Sequence, residues 1–478
     1  MPLLTPDPID SLTIVQPYVR LGDPHACSDD RHRLSLLHAL YEPLIKRAAN
    51  GHYQAALAES WSVSEGAQHW RFHLREQVRF HDGQLLSSDD VVASLARVRD
   101  ESITGELGTT GIYQGYLQDC KLEASDAHTV NIYLPHAMAD LLDVLVELFI
   151  LPATRLSELP TLPPGTGPLK LVRQREDEIV TDAHAHYWQG TPAVKRVIWQ
   201  VLASVDERLE ALASARADIA SDIHQASENL IQHTQPSSVA TTFMFNLVSG
   251  QVGDINLRQA LNYATDKKTI IDVLFDGHAD IISSPCTATQ LGFDPDLTPY
   301  AYDPGRARQL LDGVQTTDLK LTFDVPSRLP DEALQLGSLL QEQWQHVGVS
   351  LELIEHADRP QYANDVRDTN IHDAACFDSS PHSTFRLFSE KFSSHNPGVW
   401  WLGYDNADFN HLLAQARTTI SARARQQIYR QAAGILRDDP PWLYLYNTRL
   451  FWLTGHKART WRPSVDGLIT FTPHNHPL

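Results

Sequence analysis

The segment 319–353 constrains the fold more strongly than any other part of the sequence. Apolar and polar residues alternate over residues 319–325, the apolar residues of 336–347 share one helical face that ends at Gly348, and alternation resumes over 349–353. The alternating runs predict strands and the middle run predicts a helix. Because a strand, a helix and a strand in this order favour a right-handed crossover between parallel strands, we expect an α/β fold.

Shorter patterns elsewhere agree with a mixture of strands and helices. Residues 12–15 form a β-branched run, and apolar and polar residues alternate over 70–74 before a turn at 82–83. The acidic, serine-containing stretch 87–90 predicts the start of a helix, as does an aspartate followed by proline at 303–304. The predicted strands and helices are therefore spread over both halves of the chain.

The most apolar stretch, residues 141–151, is expected to be an amphipathic helix. Asp140, Asp143 and Glu147 recur at helical spacing through it, which argues against a membrane span. Residues 1–7 contain neither a basic region nor a long apolar run, so this chain carries no recognisable export signal. We expect either that such a signal has been removed or that the protein stays inside the cell.

Length and charge limit the architecture and the partners. At 478 residues the chain exceeds the size at which a single core stops growing, so at least two lobes are expected. Its 59 acidic residues against 39 basic ones give a formal net charge of −20, which repels phosphate backbones and anionic lipid surfaces. Nucleic acid is therefore not an expected partner.

Motifs for covalent chemistry and for metal binding are weak. The sequence has no Gly-x-Ser-x-Gly elbow, no His-Glu-x-x-His and no glycine-rich phosphate loop, so we do not expect an enzyme. Its four cysteines lie far apart, which favours simple packing but leaves a disulfide open. The histidine pairs at 184 and 186 and at 474 and 476 could chelate a metal on an extended strand, but we expect neither a metal nor a cofactor.

A series of short motifs, in order and at characteristic spacing, resembles family 5 of the bacterial extracellular solute-binding proteins, which serve peptide, dipeptide and nickel ABC transporters. The resemblance covers residues 12 to 450. The motifs are YEPL at 41–44, LAESW at 57–61, WRFHLR at 70–75, VRFHDG at 78–83, DDVV at 89–92, GTGP at 165–168, YWQG at 187–190, FN at 245–246, LRQALNYA at 257–264 with Asp266, and YDP at 302–304.

The resemblance implies a two-lobed periplasmic-binding-protein-like fold of the large, cluster C type, with a hinge and a ligand cleft between the lobes. The first lobe would comprise residues 1–245 and the returning segment 447–478, and the second residues 246–446. The implied function is that of the substrate-binding component of an ABC transporter, which captures a short peptide or peptide-like solute by hinge closure for import. The implied partners are the ligand and the permease subunits, the chain acting as a monomer in the periplasm.

Two stretches are implied to form the walls of the ligand pocket. In peptide binders of the family one wall follows an early Asp-Pro, here at 23–24, which makes Ser28 and Asp29 candidate ligand contacts. The other wall contains an aspartate four residues before a proline. In this chain that position is Phe377, and Asp378, one place later, becomes the candidate although the family's upstream tryptophan is missing.

Three further residues are expected to face the cleft. Arg386 could hold a carboxylate or phosphate through two parallel hydrogen bonds, although an ion pair at the protein surface is an equally good interpretation. Trp400 and Trp401 could stack on a ring or cover an apolar side chain. If they lie in a strand, they point to opposite faces and only one of them reaches the pocket.

Alternatives to peptide transport remain open at this stage. Another polar solute, such as a nickel chelate, a sugar or an opine, fits the same resemblance. The same fold also occurs as the sensing domain of cytosolic transcription regulators, so a leaderless protein would be a cytoplasmic solute sensor. No helix-turn-helix precedes residue 12, which excludes DNA binding by that route.

Overall fold

A computed structural model describes the greater part of the chain. It covers residues 9–26, 30–48, 52–100, 102–103, 105, 113–159, 162–223, 230–314, 319–328, 330–379, 381, 383–395, 398, 400–464 and 466–471. Within these ranges strands and helices are interspersed along the whole sequence. The α/β prediction is confirmed.

The strands and helices are numbered in chain order. The strands are β1 (Leu12–Gln16), β2 (Ile45–Arg47), β3 (Tyr53–Ala55), β4 (Ala58–Val63), β5 (His69–Leu74), β6 (Lys121–Asp126), β7 (Thr129–Tyr133), β8 (Leu169–Gln174), β9 (Glu178–Ala183), β10 (Arg196–Val201), β11 (Ile219–Ser221), β12 (Ile231–Phe245), β13 (Ala279–Ile281), β14 (Lys320–Pro326), β15 (Ser350–His356), β16 (Ala374–Ser379) and β17 (Trp442–Thr454). The helices are α1 (Arg31–Leu40), α2 (Ser88–Arg97), α3 (Gln114–Leu117), α4 (Leu141–Leu145), α5 (Val205–Ala213), α6 (Ile255–Ala264), α7 (Lys267–Phe275), α8 (Pro304–Leu311), α9 (Ala333–Gln345), α10 (Arg359–Arg367), α11 (Thr384–Lys391), α12 (Ala407–Thr418) and α13 (Ala422–Asp438).

One large mixed sheet runs through the molecule. Its strand order is β15-β14-β16-β12-β17-β11-β1-β10-β9-β8, with β13 paired to β17 beside this path. The strands β12 and β17 are antiparallel partners at its centre and are the two longest strands described. A separate sheet, in the order β4-β5-β7-β6, packs its apolar face into a core that also contains side chains of β12, α11 and α13.

The predicted strand, helix and strand unit is confirmed in full. β14 and β15 pair in parallel, α9 connects them, and Gly348 ends the helix segment with a φ of +85°. The buried face of α9 includes Leu336, Leu340 and Trp344, all with no exposed surface. Burial of this apolar stripe holds the crossover against the sheet.

The predicted helix starts are also confirmed. Ser87 and Asp90 form a capping box at the start of α2, in which the Asp90 carboxylate accepts from the Ser87 backbone N–H at 2.8 Å. Asp303 caps α8 by accepting from the Arg306 backbone N–H at 2.8 Å, with Pro304 in the first helical position. The capping hydrogen bonds join residues three positions apart, which is why a local sequence pattern predicts them.

The helix expected over residues 141–151 is much shorter than predicted. α4 ends at Leu145, and Phe149 then pairs with Pro43 as an isolated β-bridge. The acidic residues do not form a solvated face, because Asp140 and Asp143 are buried and bind partners from the last third of the chain. The polar face of this short helix is thus buried against other parts of the protein. Among the helices in the described ranges, none is long and apolar enough to cross a membrane.

Several motifs of the resemblance contact one another inside the structure. The Tyr187 hydroxyl and the Trp188 indole N–H both donate to the buried Glu42 carboxylate, at 2.8 and 2.9 Å. The His81 backbone N–H donates to the Gly165 carbonyl oxygen at 2.8 Å. A Cβ at Gly165 would lie 1.9 Å from the Leu40 carbonyl oxygen, so only glycine fits there. These motifs hold the fold together.

Candidate ligand-binding site

The central strands β12 and β17 connect the two ends of the large sheet. The part of β12 from Ala240 to Phe245 also pairs with β16, whereas its earlier part pairs with β17 alone. The ladder between β12 and β17 is interrupted between Pro236 and Ala240. An interruption in an otherwise continuous ladder leaves the strand locally less constrained than its neighbours.

Asn447 spans this interruption. Its side-chain amide donates to the Ser237 carbonyl at 3.0 Å and to the Val239 carbonyl at 2.6 Å, and it also lies 3.0 Å from the Ser237 hydroxyl. Both Asn447 and Ser237 are buried. The amide thus replaces the missing ladder hydrogen bonds, so the two central strands stay joined where their regular pairing fails.

The candidate Asp378 lies on β16 opposite Thr241 of β12. The Thr241 hydroxyl donates to the Asp378 carboxylate at 3.0 Å. The pKa of Asp378 is raised to about 7, mainly by burial and also by the negative charge of Glu332, while the hydrogen bond from Thr241 acts to lower it. The Asp378 carboxyl, beside the central strands, therefore keeps its proton to a higher pH than an ordinary aspartate does.

Arg386 lies in the first turn of α11 and is buried, with 2% of its side chain exposed. Its guanidinium forms ion pairs with Glu147 and with Glu390, the latter at 3.1 Å. The Tyr116 hydroxyl donates to the same Glu390 carboxylate at 2.6 Å. The arginine therefore joins the stretch after α4 to α11 through carboxylates that the protein itself provides.

A second contact next to this ion pair joins the same two regions. The Ser383 hydroxyl donates to the Asp143 carboxylate at 2.6 Å, and its oxygen accepts from the Arg386 backbone N–H at 3.1 Å. Further along, the buried Asp140 carboxylate pairs with Arg425 at 2.6 Å and accepts from Tyr429 at 2.8 Å. The acidic residues around α4 thus form a line of contacts with the segment 383–429.

The two candidate tryptophans do not lie in a strand, so the condition under which they would point to opposite faces is not met. The Trp401 backbone N–H donates to the Gly398 carbonyl at 3.3 Å in a turn, and its indole N–H donates to the Tyr404 carbonyl at 2.7 Å. Gly403, at a φ of +92°, continues the irregular backbone. Without strand neighbours the alternation rule does not apply.

Trp400 packs against Phe377, the residue that precedes Asp378 in β16. Its ring centroid lies 5.0 Å from that of Phe377 and 5.4 Å from the Lys391 ammonium at the end of α11. Trp400 is 9% exposed. Trp400 therefore contacts β16, the strand that carries Asp378, and the end of α11, the helix that carries Arg386. Ser28 and Asp29 lie outside the described residues.

A cavity of about 350 Å³ adjoins this region and was not predicted from the sequence. It lies between α1, β2 and the segment 464–471, and Glu147 forms part of its wall. Its lining includes apolar side chains and the charged residues Lys46, Arg47 and Asp466. Its volume is at the lower end of the range for small-molecule sites, about 300–1,000 Å³. A second cavity of about 500 Å³, lined mainly by polar groups, lies between residues 114–138 and the side chains of His395 and Arg417.

Metal-binding geometry is missing from the described part of the chain, where no three His, Cys, Asp or Glu side chains form a possible metal site. His184 is buried, and its Nδ1 lies 3.2 Å from the Gly167 carbonyl oxygen. The pair at 474 and 476 lies outside the described ranges. Of the cysteines, Cys120, Cys286 and Cys376 are buried free thiols, and Cys27 falls among the residues not described.

A comparison of the sequence with known protein families shows to which family this chain belongs. Residues 52–382 match the family described as bacterial extracellular solute-binding proteins, family 5, middle region. The chain belongs to this family. It is accordingly a substrate-binding protein of an ABC transporter and not an enzyme. The family assignment made from the short motifs is thereby confirmed.

Curated relatives of this family 5 protein are similar over most of their length. Heme-binding protein A of Haemophilus influenzae is 26% identical over 431 residues, covering 82% of this chain and 78% of the relative. A probable di/tripeptide-binding protein of Pseudomonas aeruginosa is 25% identical over 459 residues, covering 89% and 87%. The dipeptide-binding protein of Escherichia coli is 25% identical over 438 residues, covering 83% and 81%.

Solved structures confirm the fold. The periplasmic binding protein DppA of Helicobacter pylori, in complex with the peptide STSA, superposes with a TM-score of 0.81 at 20% identity and covers 98% of each chain. A nickel-binding relative, NikZ of Campylobacter jejuni in complex with Ni(L-His), gives a TM-score of 0.77 at 22% identity, covering 97% of this chain and all of the other. The periplasmic-binding-protein-like fold therefore extends over nearly the full chain.

Proposed function

We propose that this family 5 protein captures a short peptide or peptide-like solute by closing two lobes around it, for import through an ABC permease. The observation that carries the proposal is the contact between Arg386 and Glu147, because Glu147 also lines the cavity of about 350 Å³. A contact that joins two regions beside a cavity is formed only when those regions are close. Ligand binding and closure would therefore favour one another.

The ligand class is supported by the relatives. Two of the three relatives described above are di/tripeptide-binding or dipeptide-binding proteins, and a superposable structure holds a peptide. The heme-binding and nickel-binding relatives keep other solutes open as the alternative. At 20–26% identity, the ligand can differ between members, since specificity depends on a few pocket residues.

We further propose that residues 1–245 with 447–478 form one lobe and residues 246–446 the other. The interruption of β12 between Pro236 and Ala240, bridged by Asn447, is our candidate for the hinge. Hinges are a few residues that absorb backbone rotation while the regions on either side stay rigid. On this proposal the first crossing begins a few residues before Phe245.

The ligand contacts proposed from the sequence are retained as hypotheses. Trp400, which Trp401 follows in the chain, contacts both β16 with Asp378 and α11 with Arg386. Ser28 and Asp29 follow Pro24 and Ala26, which line the cavity. The protein would act as a monomer on the periplasmic side, with the permease as its macromolecular partner and without binding nucleic acid.

The direct test is to identify what the protein retains. Purified protein is denatured and the released small molecules are analysed by mass spectrometry, followed by calorimetric titration with a library of di- and tripeptides. We expect a short peptide to be released or to bind with micromolar affinity or better. Release of a metal chelate, sugar or opine, with no peptide binding, would contradict the peptide assignment.

A further inference from the structure

A third strand lies beside the proposed hinge. β13 pairs with residues 446–448 of β17, on the edge of β17 opposite to β12. Within this ladder Asp280 lies opposite Asn447, the residue whose side chain bridges the interruption of β12. Since a strand is less constrained where its ladder is interrupted, β13 supports β17 at the point where β12 constrains it least.

Two side-chain contacts extend from this strand past the interruption. The Arg449 guanidinium donates to the Asp280 carboxylate at 2.9 Å. The ring centroids of His278 and Phe451 lie 5.3 Å apart, with the ring planes at 71° to each other. Arg449 and Phe451 both pair with the part of β12 that precedes the interruption. The segment 278–281, which we call the strap, therefore contacts β17 on both sides of the interruption.

Both ends of the strap are fixed within residues 246–446. The His278 backbone N–H donates to the carbonyl oxygen of Phe275, the last residue of α7, at 2.8 Å. On the other side the chain continues to Cys286, which is buried in an apolar core. In the proposed lobe division the strap therefore belongs to one lobe, whereas its two side-chain partners on β17 belong to the other.

The contacts across the lobe boundary depend on the angle between the lobes. A rotation about the interruption moves Arg449 and Phe451 relative to the strap, while the ladder at 446–448 lies close to the axis and changes less. Contacts that differ between two arrangements shift the balance between them. The ion pair is partly exposed, with 43% of the Asp280 side chain and 37% of the Arg449 side chain accessible to solvent, so its effect on this balance is modest.

We propose that the strap sets the balance between the open and closed arrangements of the lobes, with the ion pair between Asp280 and Arg449 favouring the closed one. The inference deepens the proposed function and rests on it for the statement that the lobes close around a solute. Because only the closed fraction holds the ligand, the apparent affinity falls in proportion to that fraction. None of the candidate ligand contacts lies in the strap, so loss of the ion pair should weaken the binding of every ligand by the same factor.

The test measures peptide affinity in variants of the strap. Three tripeptides with different side chains, taken from the library of di- and tripeptides, are titrated calorimetrically into wild type, Asp280→Asn and Arg449→Gln. We expect each variant to bind all three tripeptides more weakly than wild type, by one common factor of about two to five. Asp280→Arg combined with Arg449→Asp exchanges the charges and should restore the affinity to within about twofold of wild type. Glu352→Gln is the control, because it breaks an exposed ion pair with Lys320 between two strands of the same proposed lobe.

The outcomes separate the strap from the proposed function. Unchanged affinity in both single variants, factors that differ from one tripeptide to another, or no recovery with exchanged charges would overturn the strap and leave the proposed function in place. Small-angle scattering of wild type with and without a saturating tripeptide tests the function itself. If no tripeptide binds, or if binding leaves the radius of gyration unchanged, closure around a peptide is contradicted and the strap with it. Arg449→Gln covers the case in which Asp280→Asn does not fold, because it breaks the same ion pair from the other strand.

Discussion

Arg386 and Glu147 form an ion pair between α11 and the stretch that follows α4. The arginine is almost fully buried, and the glutamate is at once its partner and part of a cavity wall. The contact therefore links the position of α11 to the shape of the cavity. If closure and ligand capture are one event, this pair should influence binding more than folding.

A double-mutant cycle at this pair tests the link. We expect Glu147→Gln and Arg386→Met each to weaken ligand binding by about tenfold or more, because the closed form loses a charge-assisted contact that the open form does not have. Calorimetry on both single variants and the double variant should give a coupling free energy above about 0.5 kcal/mol. Fully additive effects, or a loss of folding stability with unchanged affinity, would contradict the role in closure. The exposed pair Arg173 and Glu178 provides the matched control cycle.

Asn447→Asp tests the bridge across the interruption in β12. The change replaces the amide donor by a carboxylate that faces the Ser237 and Val239 carbonyl oxygens, so we expect the free energy of unfolding to fall by about 2–4 kcal/mol. Denaturant unfolding measures the change. Asn370→Asp, at an exposed position, is the control and should change stability by less than about 0.5 kcal/mol. A similarly small effect at Asn447 would show that the bridge does not matter.

Asp378 should make stability depend on pH. Its pKa is raised to about 7, mainly by burial and further by Glu332, whereas an unfolded aspartate titrates near about 3.9. Between these values the folded chain holds a proton that the unfolded chain has released, so the free energy of unfolding falls as the pH rises. Between about pH 5 and pH 8, we expect the free energy of unfolding of the wild type to fall by about 2 kcal/mol more than that of Asp378→Asn. Thermal unfolding at several pH values in this range measures the difference, and Asp312→Asn, at an exposed position, is the control. If the stabilities of wild type and Asp378→Asn change with pH in parallel, the raised pKa of Asp378 is contradicted.

Tyr187→Phe tests whether the family motifs are structural. The variant removes a hydrogen bond to the buried Glu42 carboxylate, so we expect a loss of about 1–2 kcal/mol in the free energy of unfolding with unchanged ligand affinity. Tyr302→Phe, at an exposed tyrosine, should change neither quantity. Weaker binding at unchanged stability would instead assign the motif to the ligand site.

The sequence predicts those features that depend on neighbouring residues. The capping box of Ser87 and Asp90 involves residues three positions apart, and the unit 319–353 follows from periodicity alone. The family motifs predict the overall fold, because contacts such as the hydrogen bond between Tyr187 and Glu42 require particular side chains at particular positions. These parts of the structure can be predicted from the sequence.

The site depends on contacts between distant positions, which periodicity does not contain. Arg386 and Glu147 are 239 residues apart, and the acids around α4 were therefore interpreted as a solvated helix face. The wall of the cavity combines Arg47 with residues beyond 463, so no local pattern marks that arginine. The turn at Trp401 leads to Gly403, which has a positive φ, and the alternation of apolar and polar residues does not predict such a turn.

The most direct test of the account is small-angle X-ray scattering of the protein with and without a saturating free-acid tripeptide chosen from the library. We expect the radius of gyration to fall on binding toward about 23 Å, the value for a compact chain of this length. The double variant Glu147→Gln, Arg386→Met should need a higher peptide concentration to reach the same radius of gyration. An identical radius in the empty and the saturated wild-type protein would contradict closure around the ligand.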